Sequence, residues 1–137
     1  MTPEALEKLH ARGFSRIRPW TAAEFAALLE SPYVFLCAST HSFALGRAVA
    51  DEAELLTIVT YPEQRRQNLA RTCLRNFELE AQARGAIRAF LEVDSENHPA
   101  IGLYQTSGYT LVARRTGYYD LRNNTRADAL VMSKRFK

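Results

Sequence analysis

The sequence predicts a mixed α/β fold in one domain, residues 1–137, in which a central strand leads through a short turn into a long helix. The chain has 137 residues, 47% of them hydrophobic, which is enough for one core and too few for two domains. Residues 55–60 form a mostly apolar run, and residues 68–84 repeat apolar side chains at helical spacing. Another apolar run follows at 87–93, so the order strand, helix, strand predicts a right-handed parallel crossover.

Two short helices are predicted before the first strand. Thr2 and the proline after it begin a helix over residues 3–12, and Gly13 ends it. The segment from Thr21 to Glu24 has the sequence of a capping box and opens a second helix, which ends at the serine and proline of positions 31 and 32.

The sheet is predicted to begin with an antiparallel hairpin. Residues 33–38 and 42–50 have the composition and alternation of strands, and the polar residues 39–41 form the turn between them. The strand over residues 54–60 follows. Its apolar side chains leave little room for a solvated face, which places it at the centre of the sheet.

The second half of the chain is predicted to alternate helices and strands. Gly85 ends the long helix and is followed by the strand at 87–93. Asn97 opens another helix, which closes at residues 107–108. Residues 109–113 and 127–132 are predicted as the last two strands, with residues 114–126 as the connection between them.

Composition narrows the class of protein. The 18 Lys and Arg against 15 Asp and Glu give a net charge of +3, a mild excess that demands no polyanionic partner. Cys37 and Cys73 lie in apolar segments without metal-ligand spacing, which predicts core side chains in a reducing, cytoplasmic protein. No run has the length of a membrane span, so no membrane association is expected. The three histidines do not cluster with acids or cysteines, and no metal is predicted.

The turn between the central strand and the long helix is rich in hydrogen-bond donors. It contains Arg65, Arg66 and Gln67 directly before the first turn of a helix, whose amides have no partner within the helix. That combination suits a phosphate group. A helix start with basic residues is also common without any ligand, so the turn alone leaves both interpretations open.

The order of elements and several motifs resemble the GNAT N-acetyltransferase family. The family's turn after the central strand is Arg-x-x-Gly-x-Gly/Ala; here it spans positions 65–70, with Asn68 in place of the glycine. Asparagine tolerates unusual backbone angles better than most residues. The further matching motifs are Leu91-Glu92-Val93, Asn97-x-x-Ala-Ile-x-Leu-Tyr104, Ser107-Gly108-Tyr109, Arg114-Arg115-x-x-Tyr118-Tyr119 and Asp128-Ala-Leu-Val-Met132. Together they are similar to the RimI-type ribosomal-protein alanine N-acetyltransferases of bacteria.

The resemblance implies a GNAT fold, with a central mixed, mostly antiparallel sheet, a parallel crossover at its centre and helices on both faces. It also implies an acetyl-CoA-dependent N-acetyltransferase that acts on the N-terminus of a protein. In the family, this acceptor is a ribosomal protein that starts with alanine. A GNAT enzyme for a lysine or a small amine is the first alternative. A non-catalytic domain that binds coenzyme A or RNA is the second, although no direct contact with nucleic acid is expected.

Two residues match the family's catalytic positions. Glu92 interrupts an apolar strand near its carboxyl end, where open α/β sheets place ligands, and matches the family's base. An α-amine has a pKa near ~8, so a modest base is enough. Tyr104 matches the general acid, since a phenol with a pKa of about 10 keeps its proton at neutral pH. The alternatives are an ion-paired carboxylate at a strand end and a core tyrosine.

The remaining site residues are implied by the resemblance. Backbone groups of Ile58, Val59 and Thr60 would contact the pantetheine arm of acetyl-CoA. Asn97 would hydrogen-bond the coenzyme, with a plain N-cap as the alternative. The segment 114–119 would help form the acceptor groove, with a solvated basic loop as the alternative. The residues expected around the pyrophosphate are Arg66, Gln67, Asn68, Leu69, Ala70 and Arg71.

Overall fold

The computed structural model describes residues 1–13, 18–39, 41–61, 68–121 and 123–136. Its helices are α1 (Pro3–Gly13), α2 (Ala22–Leu29), α3 (Leu69–Ala83) and α4 (His98–Thr106). Its strands are β1 (Val34–Ala38), β2 (Ser42–Val49), β3 (Glu52–Thr60), β4 (Arg88–Asp94), β5 (Thr110–Asp120) and β6 (Arg126–Arg135).

The strands form one sheet in the order β1-β2-β3-β4-β6-β5. Strands β3 and β4 run parallel to each other, and the other neighbours in the described sheet are antiparallel. Helix α3 connects the parallel pair, as the pattern of strand, helix and strand predicts. The predicted mixed, mostly antiparallel sheet with a central parallel crossover is confirmed.

Helices cover both faces of the sheet because successive side chains of a strand point to opposite sides. In β2, Phe43 and Leu45 pack into a core with α1 and α2, whereas Ala44 packs into a second core with α3 and α4. Both cysteines are free thiols, and Cys73 is buried in the second core. The predicted helices on both faces are confirmed.

The predicted capping box fixes the start of α2. The Thr21 hydroxyl accepts a hydrogen bond from the Glu24 amide at 3.2 Å, and the Glu24 carboxylate accepts one from the Thr21 amide at 3.0 Å. Just before it, the Trp20 amide donates to Nδ1 of His10 at 3.0 Å, and the two rings stack 5.0 Å apart. These contacts join α2 to α1 and hold Trp20 against the end of the sheet.

The prediction for the last hairpin is wrong in its boundaries. The structure continues β5 to Asp120 and starts β6 at Arg126, so most of the residues predicted as a connection, 114–126, are strand. They are therefore not a solvated basic loop. Strand β5 is at the edge of the sheet, and its residues 110–116 are all exposed. It therefore lacks the alternation of buried apolar and exposed polar side chains by which a half-buried strand is predicted.

Gly46 allows two aromatic rings to stack under the sheet. A Cβ atom at this position would lie 2.6 Å from the ring of Phe77 and 2.7 Å from that of Phe35, whose centroids are 5.8 Å apart. Gly46→Ala is therefore expected to lower the free energy of unfolding by about 1–3 kcal/mol through overpacking. Chemical denaturation measures this change.

Gly102→Ala is the matched control. Gly102 lies inside α4, and a Cβ atom added there would have no neighbour among the described residues within 4 Å. Alanine at this position should raise the free energy of unfolding by about 0.5–1 kcal/mol, because glycine is a poor helix former. Equal effects of the two substitutions would contradict the steric account of Gly46.

Candidate active site

The central parallel strands separate at their carboxyl ends. They pair from Glu52 and Arg88 to Leu55 and Leu91, and no further. At the same point, the pairing of β3 with β2 is interrupted by a β-bulge, in which Leu56 is the extra residue. A bulge bends a strand and increases its twist. The end of β3 therefore turns away from β4 and leaves one edge of its backbone open.

A cavity of about 110 Å³ lies where the two strands part. It collects side chains from both strands, from α4 and β5, and from α1 and the segment that follows it. The lining residues are His10, Trp20, Leu55, Leu56, Thr57, Ile58, Leu91, Glu92, Val93, Asp94, Asn97, Ala100, Tyr104 and Tyr119. The structure thus brings both predicted catalytic residues to one cavity, together with Ile58 and Asn97.

Glu92 is a mostly buried carboxylate with one unsatisfied oxygen. Its side chain is 14% exposed, and Oε1 accepts a hydrogen bond from the Tyr118 hydroxyl at 3.4 Å. The Arg115 Nε lies 3.4 Å from Oε2, but this ion pair lacks hydrogen-bond geometry, and the buried Oε2 receives no hydrogen bond from the described residues. An ion-paired strand end accounts for Arg115 and not for the unsatisfied oxygen. A proton donor in the cavity would satisfy it.

Tyr104 is buried on α4. It is 5% exposed, its ring packs edge-on against Tyr109 at 5.9 Å, and its hydroxyl makes no hydrogen bond within the described part of the chain. Burial raises the pKa of Tyr104 above its usual value, because the phenolate would lose its hydration. The side chain is therefore protonated at neutral pH and can act as a proton donor.

Asn97 is the N-cap of α4. Its side-chain oxygen accepts a hydrogen bond from the Ala100 amide at 3.3 Å, and the residue also lines the cavity. The cap accounts for the asparagine by itself. Its position at the cavity is also compatible with the predicted contact to a ligand.

The three residues predicted to contact an extended ligand occupy the open end of β3. Ile58 lines the cavity, whereas the Val59 side chain is buried in the core formed with α1 and α2. Thr60 lies opposite Ser42 of β2, and its buried hydroxyl has no hydrogen-bond partner among the residues described. On the side that faces β4, the backbone of residues 58–60 is not paired with that strand.

The predicted phosphate turn is only partly described. Arg66 and Gln67 lie outside the described residues. Asn68 is the N-cap of α3 and adopts a left-handed backbone conformation, with φ 57° and ψ 22°. Glycine adopts this conformation without steric cost and asparagine tolerates it, which explains why the family's glycine position can hold Asn68. Its side chain makes no capping hydrogen bond, so the amides of Leu69 and Ala70 at the helix start are not capped by it.

Arg71 joins the start of α3 to the end of α4. Its guanidinium donates to the hydroxyl oxygens of Thr106 at 3.0 Å and Ser107 at 3.1 Å. The side chain is thus occupied by protein contacts. Its backbone amide lies in the first turn of α3, where amides have no partner within the helix, and its side chain couples this helix start to the helix that bears Tyr104.

The backbone of Asn68 leads to a stability prediction. Asn68→Ala should lower the free energy of unfolding by about 1 kcal/mol, because alanine adopts the left-handed region less readily than asparagine. Asn68→Gly should leave it unchanged or raise it. Urea denaturation of the two variants beside the parent protein measures the difference. Equal stability of the alanine and glycine variants would contradict a left-handed backbone here.

Two residues that line the cavity are not predicted as site residues from the sequence. His10 and Trp20 both lie over the carboxyl ends of β3 and β4. Nothing near them in the sequence signals that α1 reaches this point.

Among the described residues, no group of three or more His, Cys, Asp and Glu side chains could hold a metal ion. No helix in the described ranges is long and apolar enough to cross a membrane.

Comparisons with known proteins agree with this geometry. Residues 4–109 match the family described as Acetyltransferase (GNAT) family. The ribosomal protein bS18-alanine N-acetyltransferase of Escherichia coli (strain K12) is 32% identical over 119 residues, 84% of this chain and 80% of that protein. A Bacillus subtilis (strain 168) protein named as a putative enzyme of the same kind is 35% identical over 120 residues, 83% of this chain and 78% of that protein.

A solved structure shows the same fold. The crystal structure of the ribosomal-protein-S18-alanine N-acetyltransferase from Escherichia coli superimposes with a TM-score of 0.86 and 28% identity, covering 98% of this chain and 88% of that one. Fold, motifs and relatives agree: the chain belongs to the GNAT family and is an acetyl-CoA-dependent N-acetyltransferase.

Proposed function

We propose that the protein acetylates the N-terminal α-amine of a cytoplasmic protein, with a ribosomal protein that starts with alanine as the acceptor. The observation that supports this most is the meeting of Glu92 and Tyr104 at one cavity where the parallel strands part. The Escherichia coli and Bacillus subtilis relatives named for bS18 alanine acetylation each match more than four fifths of this chain. That likeness supports the choice of acceptor.

The open end of β3 and the start of α3 fit the coenzyme. The unpaired backbone edge of Ile58, Val59 and Thr60 suits the amides of a pantetheine arm. The α3 amides that Asn68 leaves uncapped suit a pyrophosphate, since a helix N-terminus attracts negative charge. Arg66 and Gln67 would complete that turn. Bound acetyl-CoA would supply a thioester whose carbonyl carbon accepts the amine.

The protein's own residues then move two protons. Glu92 accepts a proton from the ammonium form of the acceptor, through the oxygen that the described residues leave unsatisfied, so that the neutral amine can form the N–C bond. The second amine proton leaves to solvent as the amide forms. Tyr104 donates its proton to the sulfur as the C–S bond breaks. Burial raises the pKa of Tyr104 above its usual value, so the phenol holds its proton until the sulfur leaves.

The acceptor would approach along β5. Arg115 and Tyr118 contact the Glu92 carboxylate and Tyr119 lines the cavity, so this strand forms the wall beside the base. An amine reaching Glu92 passes these side chains. The segment 114–119 is therefore proposed as part of the acceptor groove.

The acceptor is tested by thiol release from acetyl-CoA with a panel of amines. The panel contains a peptide that starts with alanine, the same peptide with a blocked N-terminus and an internal lysine, and a small free amine. We expect thiol release with the first peptide alone, and mass spectrometry should locate the acetyl group on its α-nitrogen. Acetylation of the blocked peptide or the small amine, with the alanine peptide untouched, would replace this proposal by one of the other acceptors. An absence of turnover with every amine would favour a binding domain.

A further inference from the structure

A bulge in β5 lies within the segment 114–119, the proposed wall of the acceptor groove. Strand β5 pairs with β6 at Arg115 opposite Ala129 and resumes at Tyr119 opposite Ala127. Between these pairs β5 has residues 116–118, whereas β6 has Asp128 alone. Gly117, in the middle of the bulge, has a φ of 62°, a left-handed conformation that favours glycine.

The Asp128 carboxylate binds the middle of this bulge and the arginine that precedes it. Its Oδ1 accepts a hydrogen bond from the Gly117 amide at 2.8 Å, and its Oδ2 accepts one from the Arg114 Nε at 2.8 Å. Its own backbone oxygen accepts from the Ser95 amide at 2.9 Å, which attaches it to the turn after β4. The Gly117 amide and Arg114 lower the pKa of Asp128, in that order, so the carboxylate is charged at neutral pH.

The bulge changes which side chains reach Glu92. In a regular strand, residues three apart point to opposite faces of the sheet. Arg115 and Tyr118 are three apart, yet both contact the Glu92 carboxylate, and the Arg115 guanidinium lies over the Tyr118 ring at 5.3 Å. The extra residues of the bulge make this possible.

We infer that Asp128 is a positioning residue of the acceptor site: its carboxylate fixes the bulge that brings Arg115 and Tyr118 to Glu92. The inference rests on the proposed function, because it assigns this wall to the amine acceptor. Asp128 lies opposite the bulge and acts through Gly117 and Arg114. It joins two motifs, Arg114 to Tyr119 and Asp128 to Met132, that the proton transfers leave unexplained.

The test is steady-state kinetics of Asp128→Ala and Asp128→Asn with an alanine-starting peptide, or with whichever amine the parent protein accepts. Asp128→Ala should lower kcat/KM for the acceptor on the order of tenfold to a hundredfold, because small displacements of positioning groups greatly lower the reaction rate. The KM for acetyl-CoA should change by less than about twofold, since the coenzyme contacts lie on β3 and α3. Asp128→Asn keeps an oxygen for the Gly117 amide and should restore most of the activity.

Asp120→Asn is the matched control. Asp120 also pairs with an arginine of β6, Arg126 at 3.6 Å, but lies beyond the bulge and is exposed. Its kcat/KM should equal that of the parent protein. If Asp128→Ala is poorly folded, Gly117→Ala perturbs the same bulge through its backbone and should give the same loss toward the acceptor alone.

Three results would overturn the inference. The first is an unchanged kcat/KM for the acceptor in folded Asp128→Ala, and the second is a rise in the KM for acetyl-CoA as large as the loss in kcat/KM for the acceptor. The third is an Asp128→Asn variant as impaired as Asp128→Ala. Amide hydrogen exchange at Gly117 needs no substrate, so it tests the role of Asp128 separately from the proposed function. The amide should exchange faster in Asp128→Ala than in Asp128→Asn. A parent protein inactive on alanine peptides would refute the proposed acceptor, whereas equal exchange in both variants would refute the role of Asp128.

Discussion

Glu92→Gln is expected to lower kcat for acetyl transfer by about 10²–10³-fold, in the lower part of the usual range for a general base. Glutamine keeps the shape of the side chain but cannot accept the amine proton. The free energy of unfolding should change little, because the buried Oε2 accepts no hydrogen bond from the described residues and Arg115 is 57% exposed. Thiol release at saturating acetyl-CoA and chemical denaturation measure the two quantities.

Glu78→Gln is a control of equal burial. The Glu78 side chain is 13% exposed, against 14% for Glu92, but both of its oxygens are satisfied. One accepts a hydrogen bond from the Tyr109 hydroxyl at 2.8 Å and the other from Lys134 at 2.9 Å. This substitution should lower the free energy of unfolding by about 1–3 kcal/mol and leave kcat close to the parent value. If the two glutamine variants lose activity alike, Glu92 is not the base.

The defect of Glu92→Gln should also depend on pH in a defined direction. An α-amine with a pKa near ~8 is mostly protonated at pH 7 and mostly neutral at pH 9. A neutral amine no longer needs a base to remove its first proton. The ratio of parent to variant kcat should therefore shrink as pH rises through about 8. A ratio that stays constant from pH 6.5 to about 9.5 would argue that Glu92 acts only by holding the acceptor in place.

The sequence predicts the helices well from apolar side chains at helical spacing, and the central strands from short apolar runs. The capping box at Thr21 and the cap at Asn97 define two helix starts locally. Strand β5 is different, since its first seven residues are all exposed and its stability comes from pairing with β6. That pairing is non-local, so its extent and its bulge could not be predicted from residues 114–126 alone.

The site divides in the same way. Glu92 and Tyr104 are located by short motifs, each inside one element of structure. The bulge at Leu56 that parts β3 from β4 depends on the register with β2, which sequence does not specify. The contact of His10 with Trp20 depends on how α1 packs. Local sequence thus indicates the proposed catalytic residues, whereas the shape of the cavity arises from pairing between distant segments.

Tyr104→Phe is expected to lower kcat by about 10²-fold, with the KM for acetyl-CoA nearly unchanged, because the phenylalanine cannot protonate the leaving sulfur. The ring would still pack against Tyr109, and the lost hydroxyl has no hydrogen bond within the described ranges. The free energy of unfolding should therefore equal or slightly exceed that of the parent protein. Steady-state kinetics with acetyl-CoA, together with urea denaturation, measures both effects.

Tyr109→Phe should give the opposite result. The Tyr109 hydroxyl donates to the Glu78 carboxylate at 2.8 Å, so its removal should lower the free energy of unfolding by about 1.5–3 kcal/mol, the value of a hydrogen bond to a charged group. Its effect on kcat should be small, since this hydroxyl is bound within the protein. Two neighbouring buried tyrosines would then separate stability from catalysis. A phenylalanine at position 104 that retains full kcat would show that the sulfur takes its proton from solvent or from another group.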